Sequence, residues 1–114
     1  MTTTPATTLY KIEFYVPETH LELVKTAMFA AGAGQVGAYD NCAWQTLGQG
    51  QYRPLAGSSP HLGETDKVET IAEYKVELVC ERQYVRAVID AMLAAHPYEA
   101  VAYSLLELTA IESI

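Results

Sequence analysis

The chain has 114 residues, a formal charge of −7 and a composition half hydrophobic, which sets one domain around one core. Its seven Lys and Arg are scattered, so it would repel a phosphate backbone, and nucleic acid is excluded as a partner. No stretch approaches the roughly 18 apolar residues of a membrane span, and MTTTPATT at the start has neither the basic residues nor the apolar run of a secretory signal; a cytoplasmic protein without a membrane partner is expected.

Residues 1 to 8 read as a flexible N-terminus and 9 to 114 as a single domain. Residues 9 to 16 alternate, with Tyr10, Ile12, Phe14 and Val16 opposite Lys11, Glu13 and Tyr15, the period of a half-buried strand. Pro17 suits the first turn of a helix and Glu18 favours its positive end. Leu21, Val24, Met28 and Ala31 then recur at three- and four-residue intervals, and Gly32 is a natural stop.

A second strand is expected over 39 to 47. Gly48-Gln49-Gly50 would turn it into a short partner at 51 to 55, forming an inserted hairpin. The polar run AGSSPHLGETDK, 56 to 67, has the composition of an exposed loop. A strand resumes near Glu69, with Tyr74, Val76, Leu78 and Cys80 opposite Lys75, Glu77 and Val79. A second helix follows over about 82 to 95, carrying Val85, Val88, Ile89, Met92 and Ala95, and Pro97 disfavours helical geometry at His96. Val101 to Leu108 is the last strand.

The chain contains one unit twice. Residues 10 to 39 align with 74 to 103 without a gap at an offset of 64, and ten of the thirty pairs are identical, among them Tyr10/Tyr74, Lys11/Lys75, Met28/Met92 and Tyr39/Tyr103. Two copies are too few for a solenoid. Two βαβ halves with right-handed crossovers instead give an α+β, ferredoxin-like sandwich: an antiparallel sheet of about four strands with both helices on one face. Its other, partly apolar face and its edges suit contact with another subunit.

The halves differ most where Gly32-Ala33-Gly34-Gln35 stands against His96-Pro97-Tyr98-Glu99. A plain helix exit does not require a His, a phenol and a carboxylate. His96, Tyr98 and Glu99 are therefore the first candidates for ligand binding, joined by His61 and Gly63 from the long loop. For a divalent metal ion, the cofactor the chain could hold, the candidates are His61, His96, Glu99 and Cys42. His20, on the first helical turn, carries a weaker signal. Cys42 and Cys80 lack CxxC spacing and read as intracellular thiols, although neighbouring strands could bring them close.

GAGQVG, 32 to 37, follows a helix instead of opening one, which excludes a nucleotide-phosphate loop. No nucleophile-elbow motif and no carboxylate pair in a recognisable context is present, so the sequence does not read as an enzyme.

Taken together, VPETHLELVKTAMFAAGAGQVGAYDNCAWQT, the Pro60-His61-Leu62-Gly63 segment and HPYEAVAY resemble the domain inserted in bacterial YqfO proteins, members of the family named for NGG-one-interacting factor three. The resemblance covers about residues 9 to 108. The larger proteins carry a two-metal site in flanking domains outside that stretch, so their hydrolase-like chemistry is not carried over. The inserted domain is similar to CutA and PII-like proteins, ferredoxin-like modules that assemble as trimers. With the absence of catalytic motifs, the resemblance points to a homotrimeric, non-catalytic regulatory module that binds a small-molecule effector or a protein partner, with a CutA-like protein of divalent metal-ion binding and tolerance as the alternative.

Overall fold

A computed structural model describes residues 8–114; the expected flexible N-terminus lies, but for Thr8, outside the described residues. Four strands and two α-helices follow in the order β1 (Leu9–Val16), α1 (Glu18–Ala30), β2 (Trp44–Tyr52), β3 (Glu69–Glu81), α2 (Val85–Ala95) and β4 (Tyr103–Leu108). A 3₁₀ turn, Arg82–Tyr84, leads into α2. The sheet is antiparallel in the order β2-β3-β1-β4, the ferredoxin-like arrangement.

The register lays the apolar residues of the two repeats side by side. Tyr10 pairs with Cys80, Ile12 with Leu78, Phe14 with Val76 and Val16 with Tyr74, so one face of β1 and β3 is nearly continuous hydrophobic surface. Onto it pack Leu21, Val24 and Met28 of α1 and Val88 and Met92 of α2, which close the core. Phe14, Ile12, Met28 and Met92 are wholly enclosed, and each such side chain stabilises the fold by about 1.5–3 kcal/mol. Met28 and Met92 are repeat counterparts, so the internal symmetry of the sequence is also a symmetry of the core.

The opposite face is mixed in character. Lys11 reaches Glu77 at 2.6 Å and Glu13 at 3.6 Å, and Lys75 reaches Glu13 at 3.5 Å. Large apolar side chains lie exposed on the edge strands, Trp44 and Leu47 on β2 and Tyr103, Leu105, Leu106 and Leu108 on β4. Among the described residues no helix is long and apolar enough to cross a membrane.

The helix ends follow the sequence. Pro17 takes the cap position, one residue before the expected first turn, with extended geometry. At the other end, Ala33 N–H donates to Met28 O and Gly32 N–H to Phe29 O, a Schellman closure that requires the left-handed φ of +119° at Gly32. Helix α2 stops instead at His96, whose extended φ and ψ the following Pro97 favours.

The expected hairpin at Gly48-Gln49-Gly50 is not formed. Those residues run straight through β2, pairing with Glu73, Ala72 and Ile71 of β3, and the reversal falls in the loop 53–68. Neither Gly48 nor Gly50 has a positive φ, so neither supplies the turn geometry that a two-residue hairpin demands. The stretch 39 to 43 also lies outside β2; Tyr39 forms only an isolated bridge with Val36. The first repeat therefore leaves its helix by a longer connection than the second, which reaches β4 at Tyr103.

Candidate functional site

A cavity of about 270 Å³ lies where the loop 53–68 meets the HPYE turn. Its wall includes His61 from the loop, Tyr98 and Glu99 from the turn, Tyr15 from the end of β1, Tyr52 from the end of β2 and Glu73 from β3. Gln51 and Ser58 also face it, and Pro54, Pro60, Leu62, Ala100 and Ala102 supply the apolar part of the lining. Few ligand pockets are smaller, the usual range being about 300–1,000 Å³.

The loop is tied down at several points. Ser59 N–H donates to Glu99 Oε1 at 2.8 Å, and the Tyr52 hydroxyl donates to the Leu62 carbonyl. Ser58 Oγ donates to Leu55 O at 2.7 Å. Tyr98 sends its hydroxyl to Glu73 Oε2 at 3.2 Å. Burial, and then the carboxylate of Glu73, hold the Tyr98 phenol far above its ordinary range; burial followed by Glu69 and Glu73 raises Tyr52 in the same direction.

His96 lies behind the wall, 7% exposed, and both ring nitrogens are committed. Tyr98 N–H can only donate, so Nδ1 accepts it at 3.2 Å; Tyr15 O can only accept, so Nε2 carries the proton and donates at 2.7 Å. The ring is thus held neutral in one tautomer. Desolvation pushes its pKa below the usual histidine value, against the opposing pull of the Tyr15 carbonyl; His20 and His61 add smaller contributions in the lowering direction.

All three histidines of the chain gather at this end. The rings of His20 and His61 meet edge-on at 5.8 Å between centroids, His61 lies 6.1 Å from Tyr98, and Tyr98 lies 4.7 Å from His96.

Of the sequence candidates, His61, Tyr98 and Glu99 come together in the wall. His96 supports them from behind. Gly63 does not line the cavity; its φ of +98° serves the loop, and a side chain there would run into Glu69. Cys42 also lies away from it, before β2, where its thiol faces the carbonyl of Asp40. Cys42 and Cys80 are both free thiols. His96 has no lone pair left for a metal, and among the described residues no group of three or more His, Cys, Asp or Glu side chains converges as a ligand set. Within the described residues of one chain, the four metal candidates are therefore not brought together as a ligand set.

Sequence reasoning passed over Tyr15, Tyr52, Glu73 and the edge contact of His20. Glu73 had a signal in principle: it precedes the Tyr-Lys opening of the second repeat on the strand face shared with Lys75 and Glu77, which places it beyond the end of β1 and beside the turn.

Among known proteins, the GTP cyclohydrolase 1 type 2 homolog of Bacillus subtilis is 41% identical over 97 residues, 85% of this chain and 26% of that protein. A solved Bacillus cereus protein related to NIF3 superposes with a TM-score of 0.82 at 35% identity, over 96% of this chain and 28% of the other. The chain is similar to one segment of these longer, NIF3-related proteins. It spans about a quarter of the length of these curated relatives. No protein-family model matches the chain. The chain also shares its fold with CutA of Synechococcus elongatus, at a TM-score of 0.65 and 16% identity over 92% of this chain and 80% of that one. GlnK of Bacillus subtilis, solved with ATP, gives 0.61 and 13% over 90% and 85%. At those identities the likeness is one of architecture, as the ferredoxin-like topology already implies.

Proposed function

We propose that this chain is a non-catalytic, homotrimeric binding module that takes a small effector in the cavity between the loop 53–68 and the HPYE turn. The observation that carries this reading is the position of the cavity, at the place where the two repeats differ most in chemistry. A scaffold needs only a helix exit there, and the first repeat makes one with glycine. The second repeat supplies His96, Tyr98 and Glu99, and the long loop closes over them with His61.

The polar groups of the wall are arranged for recognition more than for bond-making. Ser58 donates its hydroxyl to Leu55, Glu73 and Glu99 accept from Tyr98 and Ser59, and His96 is held by two backbone groups. No nucleophile in the wall is paired with a free base, the arrangement that covalent catalysis requires. Trimer formation is supported by the exposed apolar side chains of β2 and β4, both edge strands, and by the fold shared with CutA and GlnK.

Native mass spectrometry of the chain taken directly from cells tests the proposal. The expected result is a trimer carrying a small molecule, and Ala102→Trp, which fills the cavity, should release that molecule while the trimer persists. A monomer without ligand, or a ligand retained by the Ala102→Trp chain, would overturn it.

A further inference from the structure

The cavity has a chemical bias that narrows its ligand. Two carboxylates, Glu73 and Glu99, and three phenols, Tyr15, Tyr52 and Tyr98, line it, and no Lys or Arg is among the lining residues. Each carboxylate is only partly satisfied from within: Glu73 accepts from Tyr98 through Oε2 and Glu99 from Ser59 N–H through Oε1. An ionised carboxylate has about four acceptor positions, so acceptor capacity remains on both. Lys75, in the adjoining cleft that shares Tyr15 and Glu73, is engaged by Glu13 at 3.5 Å. The only basic side chain in the wall is the imidazole of His61.

We infer that the cavity binds a small organic cation, a primary ammonium or a guanidinium, with its charge directed to Glu73 and Glu99 and its carbon skeleton against the tyrosine rings. The inference rests on the reading of this cavity as the ligand site. Charge-assisted hydrogen bonds to a carboxylate are the strong class, and aromatic faces attract a cation while rejecting an anion. The raised phenols of Tyr52 and Tyr98 report the same negative field, Glu73 contributing to both after burial. A phosphate or carboxylate ligand would meet two like charges with no lysine or arginine to offset them. The chain's overall charge of −7 acts in the same direction at long range.

The test is a nuclear magnetic resonance titration of the full chain with four probes of similar size: n-butylammonium, methylguanidinium, neutral 1-butanol and anionic butyrate. The expected result is saturable shifts of the Tyr15 and Tyr98 rings and the Ser59 amide with the two cations alone. Affinity should fall roughly tenfold, about 1.4 kcal/mol, in Glu73→Gln, and again in Glu99→Gln, each checked for a native spectrum. Shifts with butanol or butyrate equal to those with the cations, or no loss in either variant, would overturn the cation class and leave the ligand-site reading standing. If no probe moves these resonances and native mass spectrometry finds no small molecule, both readings fall together.

Discussion

The backbone N–H of Gly34 donates directly to the carbonyl of Val79 at 2.8 Å, and the repeat counterparts of these two residues, Tyr98 and Tyr15, are joined through the imidazole of His96. The offset of 64 maps Gly34 onto Tyr98 and Tyr15 onto Val79, so the two connections are the same contact made in two ways. Each half anchors its helix exit to the last part of the other half's strand. In the first half the glycine approaches closely, with a φ of +81° and no room for a side chain between Phe29 and Cys42 O. In the second a ring fills the gap, and Tyr98 is carried outward to become part of the cavity wall.

Removing that ring should therefore cost stability as well as binding. In His96→Ala the Tyr98 N–H and the Tyr15 carbonyl lose their partner, and a largely buried ring leaves a void. A loss of about 2–4 kcal/mol is expected in urea unfolding, one or two kcal/mol for each orphaned group with the void partly relaxed. His96→Gln, whose amide can both accept and donate, should recover part of it. The wild-type chain should also show a pH dependence. Burial lowers the folded-state pKa of His96, so the unfolded chain takes up the proton first as pH falls. The stabilisation is fully present above the ordinary histidine value, near 6.5, and is lost progressively below it. The slope between pH 7 and 5.5 should be smaller in His96→Gln; identical slopes would show that the ring is not held neutral.

How much of this was legible in the sequence follows from what each signal depends on. Alternation in β1 and β3 and the three- to four-residue spacing in both helices are local, and the repeat confirmed them against each other; the ferredoxin-like topology followed. The glycines of β2 misled because Gly48 and Gly50 suggest a turn when only sequence neighbours are considered. In the structure Gly50 is a place of close approach: a Cβ there would collide with the Glu73 carboxyl. That requirement comes from β3, more than twenty residues away, and leaves no local trace. The same distance hid Tyr52 and Glu73 from the site, whereas HPYE was exposed by its mismatch with GAGQ.

Gly50→Ala tests that close approach. The obstacle is the end of a flexible side chain and not backbone, so the strand should persist and stability should change by less than about 1 kcal/mol, helped by the reduced freedom of the unfolded chain. Glu73, however, must swing away from Tyr98. The Tyr98 phenol should then titrate at lower pH than in the wild-type chain, since Glu73 contributes to its elevation, while burial keeps it above its ordinary value near 10. Resonances of the Tyr98 ring followed through alkaline pH would show this, and an unchanged titration would mean that Glu73 does not depend on the glycine.

Glu99→Ala should release the loop from the HPYE turn without unfolding the domain. Its contact with Ser59 is the bond that links the HPYE turn to the loop 53–68 across forty positions of sequence. It is exposed to solvent, so a global loss of no more than about 1 kcal/mol is expected. Hydrogen exchange should show the local effect, with the Ser59 amide losing its protection while the amides of β1 and β3 keep theirs. Equal protection of Ser59 in both chains would exclude the contact in solution.

The two thiols should differ sharply in reactivity, and the difference reports on the packing of the sheet. Cys80 lies on the helix-facing side of β3, 2% exposed within the core. Burial, assisted by the charge of Glu81, raises its pKa to about 11, so at neutral pH almost none of the reactive thiolate is present. Cys42 is half-buried, outside the core. Iodoacetamide at pH 7.5 should alkylate Cys42 in the folded chain and leave Cys80 intact, as mass mapping of the peptides would show. In urea both should react at similar rates. Alkylation of Cys80 in step with Cys42 under native conditions would mean that β3 separates from the helices far more often than its core packing allows.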